Sequence, residues 1–207
     1  MQGPLRLLVY DETCRGRGAL PGLTHSWIVG GALYRALGRL DAVKGVRSWA
    51  EALDWLCSVE PERSIAEVQY WGHGKWGCAF VDKDVLDERA LLRGHPLFDK
   101  LARLAERVVS EDALLWFRTC ETFGATGGLS FARTMTDFFG CRAAGHTYII
   151  GPWQSGLHSL RPGETPRWSA HEGLVEGTPD EPRRALWSGA REPNTITCLH
   201  GAVPAGF

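Results

Sequence analysis

The 207-residue sequence predicts an α/β fold, a three-layer α/β/α sandwich with a mainly parallel sheet. Three observations predict it. Leu5 to Tyr10 and Ala113 to Phe117 are short, near-continuous apolar runs, as in strands buried on both faces of a parallel sheet. Stretches of helical period lie between such runs. Strand and helix alternate through residue 150, and the pattern then stops.

In chain order, Leu5 to Tyr10 is the first strand, followed by a breaker-rich loop from Cys14 through Gly22. A helix is expected from about Ser26 to Leu40, with Ile28, Leu33, Leu37 and Leu40 near helical spacing, and then a short strand from Ala42 to Val46. Ser48 followed by Glu51 has the spacing of a capping box and opens a second helix through Leu53 and Leu56. Ile65 to Trp71 reads as a strand ending abruptly at Gly72-His73-Gly74, with a small ribbon near Cys78 to Val81. Pro96 suits the first turn of a helix carrying Leu97, Leu101, Leu104 and Val108 on one face. The strand at Ala113 to Phe117 stops at Arg118-Thr119-Cys120-Glu121. A turn bearing Gly124, Gly127 and Gly128 leads into a helix ending near Gly140, and Ala143 to Ile150 supplies a further strand. Residues 1–150 therefore read as the core. Residues 151–207, rich in Pro, Gly and Trp, read as an irregular extension packed on the same domain, with Thr195 to Leu199 as a last edge strand.

Composition removes several function classes. A formal net charge of -1 gives no general electrostatic grip on nucleic acid, and the nine Trp are not interleaved with a basic stripe. The first residues lack a basic n-region and a long apolar h-region, and no apolar run is long enough to span a bilayer. A cytoplasmic protein with neither nucleic-acid nor membrane partner is the expectation. The six cysteines show no CxxC spacing, so free thiols are expected in place of a disulfide framework, with position deciding which are reactive.

In open parallel sheets ligands gather beyond the carboxyl ends of the strands. Two residues suited to covalent chemistry stand at two such ends: His73, within Gly-His-Gly, and Cys120. Their separation of 47 residues leaves room for one crossover helix, so the two strands can be neighbours. A histidine about 50 residues before a nucleophilic cysteine is one feature of caspases.

The segments Val68-Gln69-Tyr70-Trp71-Gly72-His73-Gly74 and Leu114-Leu115-Trp116-Phe117-Arg118-Thr119-Cys120-Glu121 resemble the two signature segments of the caspase-like cysteine peptidases. That superfamily includes caspases, metacaspases, gingipains, separases and the bacterial CHAT proteases. Phe131-Ala132-Arg133 and Gly145-His146-Thr147 add to the likeness with the bacterial members, over about residues 5 to 150. The resemblance implies a cysteine endopeptidase with a caspase-like fold, acting on protein or peptide substrates without a catalytic metal or organic cofactor, and leaves room for a regulatory protein partner. It implies Cys120 as nucleophile, His73 as the acid that protonates the leaving amine, and the backbone N–H groups of Gly74 and Cys120 as oxyanion donors. In the family the residue two before the cysteine lines the pocket for the side chain preceding the cut. Here it is Arg118, which suits a carboxylate, so cleavage after acidic residues is one expectation; pairing of Arg118 with an internal acid such as Glu121 is the other. Arg15 and Arg17 occupy the loop after the first strand, where caspases place a further arginine, and Trp153 would border the groove.

Two readings compete. Glu121 departs from the small or basic residue common beside the nucleophile, which leaves open a catalytically inactive scaffold or binding module of the same fold. The glycines at 124, 127 and 128 suggest a nucleotide-binding Rossmann-like protein, but neither GxxxxGK[ST] nor GxGxxG is present, and glycine for chain turning competes with that reading. The remaining histidines and cysteines form no metal-ligand spacing.

Overall fold

A computed structural model describes residues 3–17, 20–108 and 110–207. The chain runs β1 (Leu5–Asp11), β2 (Gly16–Arg17), β3 (Leu20–Pro21), α1 (Leu23–Ala36), β4 (Ala42–Val46), α2 (Trp49–Ser58) and β5 (Ile65–Trp71). There follow β6 (His73–Lys75), β7 (Cys78–Val81), β8 (Asp84–Leu86), α3 (Phe98–Ala105), β9 (Leu114–Arg118), α4 (Ala125–Phe139) and β10 (Arg142–His146). The remainder holds β11 (Trp153–Gln154), β12 (Leu157–Leu160), β13 (Leu174–Gly177), β14 (Pro182–Ala185) and β15 (Ile196–Thr197).

The central sheet has six strands in the order β12-β10-β9-β5-β1-β4. All neighbours pair parallel except β12, which is antiparallel to β10. The chain leaves β1 toward β4 in one direction and returns through β5, β9 and β10 in the other, so the topological switch lies between β1 and β5. A crevice at the carboxyl ends of those two strands is the site that winding creates.

Alternation along the strands divides the sheet into two faces. Leu5, Leu7, Val9, Val68, Tyr70, Leu115 and Phe117 point to the side covered by α2, α3 and α4 and join the main core cluster. Leu101 and Leu104 of α3 are 1% and 3% exposed, each burial contributing roughly 1.5–3 kcal/mol. Ser48 caps α2, its Oγ accepting from the Glu51 N–H at 3.1 Å, while the Glu51 carboxylate accepts from the Arg47 N–H. The opposite face is shared: α1 covers Leu8, Val43 and Trp71, and residues 196–207 cover Trp116 and Ala144.

The α1 helix departs from the sequence expectation. It ends at Ala36, and it buries Thr24, Gly31 and Tyr34, whereas Ile28, Leu33 and Leu37 are 46%, 41% and 55% exposed. Glycines explain the rotation. A Cβ on Gly30 would stand 2.7 Å from the Trp71 ring, and one on Gly31 3.0 Å from a Val43 methyl. The helix lies on the sheet by its small-residue face and turns its leucines outward. The region after residue 150 is also more regular than composition implies. Its β12 is the sixth strand of the main sheet, and the expected terminal edge strand is the two-residue β15, paired with β11 and not with the sheet. Among the described residues no helix is long and apolar enough to cross a membrane.

His146, at the carboxyl end of β10, is fully buried, with Nδ1 3.1 Å from the Ser155 carbonyl and Nε2 without a partner. Burial holds its imidazole neutral, with the pKa lowered to about 3. The folded state thus binds fewer protons at this site than the unfolded one, whose pKa is near 6.5. Its contribution is complete above about pH 6.5 and declines as pH falls toward about 3, by up to roughly 1.4 kcal/mol per pH unit. We expect urea titrations between about pH 6.5 and pH 4.5 to show a steeper loss of stability in the wild type than in His146→Gln, where the titrating group is gone. Parallel curves would contradict this assignment.

Candidate active site at the carboxyl edge of the sheet

The register between β5 and β9 sets the heights of the two sequence-predicted catalytic residues. Trp71 pairs with Arg118, and two residues further along each chain stand His73 and Cys120. Parallel neighbours lie about 4.8 Å apart, so the two chains leave the sheet side by side after Trp71 and Arg118.

Past Trp71 the chain turns into a three-stranded ribbon, β6-β7-β8, whose first residue is His73. Its tip rests on the turn after β9: the Trp76 and Gly77 N–H groups donate to the carbonyls of Glu121 and Thr122 at 3.0 and 2.9 Å. Gly74 permits this closeness. A Cβ there would stand 2.0 Å from Thr122 Oγ1 and 2.7 Å from Thr119 Cβ. The Cys120 turn is conformationally costly. Glu121, Trp76 and Ala125 all adopt positive φ, at 38°, 33° and 59°, without being glycine. Such residues cost of order 1–3 kcal/mol each and concentrate at functional sites.

Cys120 is half-buried, and its Sγ lies 3.9 Å from the Ile150 carbonyl. Burial, reinforced by the Glu121 carboxylate, pushes the thiol up to about 11. Glu121 is itself buried, with Oε2 unpartnered, and burial raises its pKa against the pull of Lys75. His73 is exposed, its ring edge-on to Trp27 with centroids 6.0 Å apart. Its hydrogen-bond contact is with a different sulfur: Nε2 lies 3.0 Å from Sγ of Cys14, in the loop after β1. Burial, then Asp11 and Asp82, raise the Cys14 thiol as well. The histidine therefore stands beside the topological switch, after the strand between those that lead to Cys14 and Cys120. Sequence reading counted Cys14 only among six free thiols. Its place after a buried strand, like that of Cys120, was the available signal.

The expected substrate-binding residues distribute differently. Arg118 does not open onto the cleft: it is 4% exposed, and its guanidinium is held by neutral oxygens. Nε and Nη2 donate to Gln154 Oε1 at 3.1 and 2.8 Å, Nη1 to the Tyr34 hydroxyl at 2.8 Å and the His200 carbonyl at 3.1 Å, and Nη2 to the Cys198 carbonyl at 3.2 Å. Aromatic rings of Trp116, Trp71 and Tyr34 surround it at 4.5, 5.2 and 5.7 Å. Neither a pocket-lining role in this conformation nor pairing with Glu121 describes it. The even-numbered face of β9 is the one that residues 196–207 cover, which the local sequence did not reveal. Arg15 is exposed and turns back on its own loop, Nε donating to the Glu12 carbonyl at 3.2 Å. The backbone of Arg17 lies in β2, and its side chain is outside the described part of the structure. Trp153 is 43% exposed on β11, opposite Thr197.

Gly127 and Gly128 lie within the first turn of α4, and chain packing accounts for them. A Cβ on Gly127 would stand 2.7 Å from the Trp76 carbonyl, one on Gly128 would meet the Phe123 backbone, and the Thr126 N–H donates to the Pro179 carbonyl. The helix N-terminus is covered by protein. Among the described residues no group of three or more His, Cys, Asp or Glu is placed to hold a metal ion. No protein-family model matches the chain, and no curated protein matches it significantly.

The thiols differ enough to be separated by alkylation. Cys198 is exposed, so iodoacetamide is expected to modify it before Cys120 near neutral pH. Because the thiolate reacts, Cys120 labelling should keep rising, about tenfold per pH unit, until pH approaches about 11, beyond the plateau near 9 of an unshifted thiol. Site-resolved mass spectrometry checks this; a Cys120 plateau near neutral pH would show an activated resting thiolate instead.

Proposed function

We propose that this protein is a cysteine endopeptidase of the caspase-like type, with Cys120 as nucleophile and His73 as its proton carrier. The observation that supports the reading is the parallel pairing of β5 with β9, with Trp71 opposite Arg118 two residues before His73 and Cys120 on their respective chains, next to the topological switch between β1 and β5. The resemblance of the two segments bearing them agrees with it, as does the strained turn at Glu121.

The chemistry follows from these side chains. Burial keeps the resting Cys120 thiol protonated, so no preformed ion pair is needed. As the sulfur attacks the scissile carbonyl carbon, its proton passes to His73 and a carbon–sulfur bond forms. The carbonyl oxygen gains charge, which the backbone N–H groups of Gly74 and Cys120 are positioned in sequence to receive. The tetrahedral intermediate collapses with cleavage of the carbon–nitrogen bond, and the imidazolium gives its proton to the leaving amine. Water activated by the neutral imidazole then hydrolyses the thioester. Residues 5–160 supply the scaffold of this site, and cleavage after acidic residues belongs to the same reading only where Arg118, covered here by the Cys198 and His200 carbonyls, is uncovered.

One observation favours a second reading. The Cys14–His73 contact at 3.0 Å makes Cys14 an alternative nucleophile served by the same imidazole. Single substitutions assayed on an unstructured protein substrate separate the two. We expect Cys120→Ser and His73→Ala each to lower kcat/KM by at least about a hundredfold, the scale of a lost acid–base group, with Cys14→Ser retaining turnover. Loss in Cys14→Ser with activity kept in Cys120→Ser would transfer the nucleophile. Activity surviving both would end the peptidase reading.

A further inference from the structure

Arg118 is a buried cation that forms no salt bridge among the described residues, the buried Glu67 carboxyl acting on it only at longer range, and part of its hydration is replaced by a strap of main chain. Residues 196–201 run antiparallel to β11 over two residues, and the Cys198 N–H donates to the Pro152 carbonyl at 2.9 Å. Three successive carbonyls of the strap turn inward. Those of Cys198 and His200 lie 2.9 and 2.6 Å from the Tyr34 hydroxyl and also accept from Arg118; that of Leu199 accepts from Arg39 Nη1 at 2.6 Å. Side chains 198–200 are exposed, with Leu199 at 60%, so beyond Ile196, which is buried, the strap is held mainly through its backbone.

Carbonyl oxygens are weaker partners for a guanidinium than a carboxylate, which accepts two parallel charge-assisted bonds. The opposing wall, β11, follows Ile150, whose carbonyl faces the Cys120 sulfur. A peptide that added itself to β11 in place of the strap would lie beside Cys120 and bring a side chain to Arg118. We infer that residues 196–201 are a displaceable internal occupant of the Arg118 pocket, exchanged for a β11-pairing peptide that carries an acidic side chain. The inference rests on the peptidase reading for the peptide's fate, but the exchange itself is a binding event. In the structure as it stands the pocket is closed, so peptide binding must include the cost of releasing the strap.

Exchange can be followed without turnover. The probes are a blocked tetrapeptide amide ending in Asp and its Asn counterpart, added to the full chain carrying Cys120→Ala. Hydrogen exchange is read at the amides of residues 196–201, and affinity by calorimetry. The expected result is faster exchange at those amides with the Asp peptide and not with the Asn peptide. Arg39→Ala, which frees the Leu199 carbonyl, should bind the Asp peptide about two- to tenfold more tightly, the worth of one hydrogen bond. Unchanged strap exchange at saturating Asp peptide, equal effects of the two peptides, or no binding even by Arg39→Ala would overturn the inference. Failure of the peptidase reading is distinct: strap exchange as expected, with no Cys120-dependent cleavage by the unsubstituted chain.

Discussion

Parallel pairing of β5 with β9 is the constraint on which the rest of the site depends. Its register, from Glu67 opposite Leu114 to Trp71 opposite Arg118, brings His73 and Cys120 off the sheet together. A slip of one residue would send the alternating side chains of β9 to the opposite faces, exchanging Leu115 and Phe117 for Trp116 and Arg118. The large apolar cluster under α2, α3 and α4 thus fixes the site's height as well as the fold's stability. The ribbon after β5 extends this control beyond the sheet, because its tip is hydrogen-bonded to the turn that carries Cys120 and Gly74 lets the two backbones meet.

His73 follows the strand that lies between those leading to Cys14 and Cys120, and the electrostatics of both thiols oppose a resting thiolate. Burial is the leading cause in each case, with nearby carboxylates adding to it. On the proposed reading such a thiol reacts only when a bound substrate presents its carbonyl carbon to the sulfur. His73 Nε2 contacts the Cys14 sulfur in this structure, so on the proposed reading the imidazole would serve Cys120 only after leaving that contact. The strap over Arg118 imposes a similar restraint on the neighbouring pocket. On the proposed reading, peptide binding would release both contacts.

Much of the fold was legible in sequence where one physical signal dominated. Near-continuous apolar runs marked β1 and β9, Ser48 and Glu51 marked the start of α2, and Gly140, in the left-handed conformation at φ 60°, ended α4. That the strands before His73 and Cys120 are neighbours followed from their one-helix spacing. Signals that depend on distant partners were not legible. The apolar stripe Ile28-Leu33-Leu37 has helical period yet faces out, because Gly30 and Gly31 bring the other side of α1 against Trp71 and Val43. Arg118 was read from its neighbour Cys120, but its contacts come from Tyr34, Gln154, Cys198 and His200, 36 to 84 residues away. Pairing of β12 with the main sheet was likewise hidden behind the Pro- and Gly-rich composition that surrounds it.

The most direct test of the central claim is to identify the atom that becomes acylated. Incubation with a peptidyl acyloxymethyl ketone, followed by digestion and mass spectrometry, reports which thiol a substrate-like electrophile reaches. The account predicts a single adduct on Cys120 that is lost when His73 is replaced by Gln. An adduct on Cys14, or labelling of Cys120 that is indifferent to His73, would contradict it.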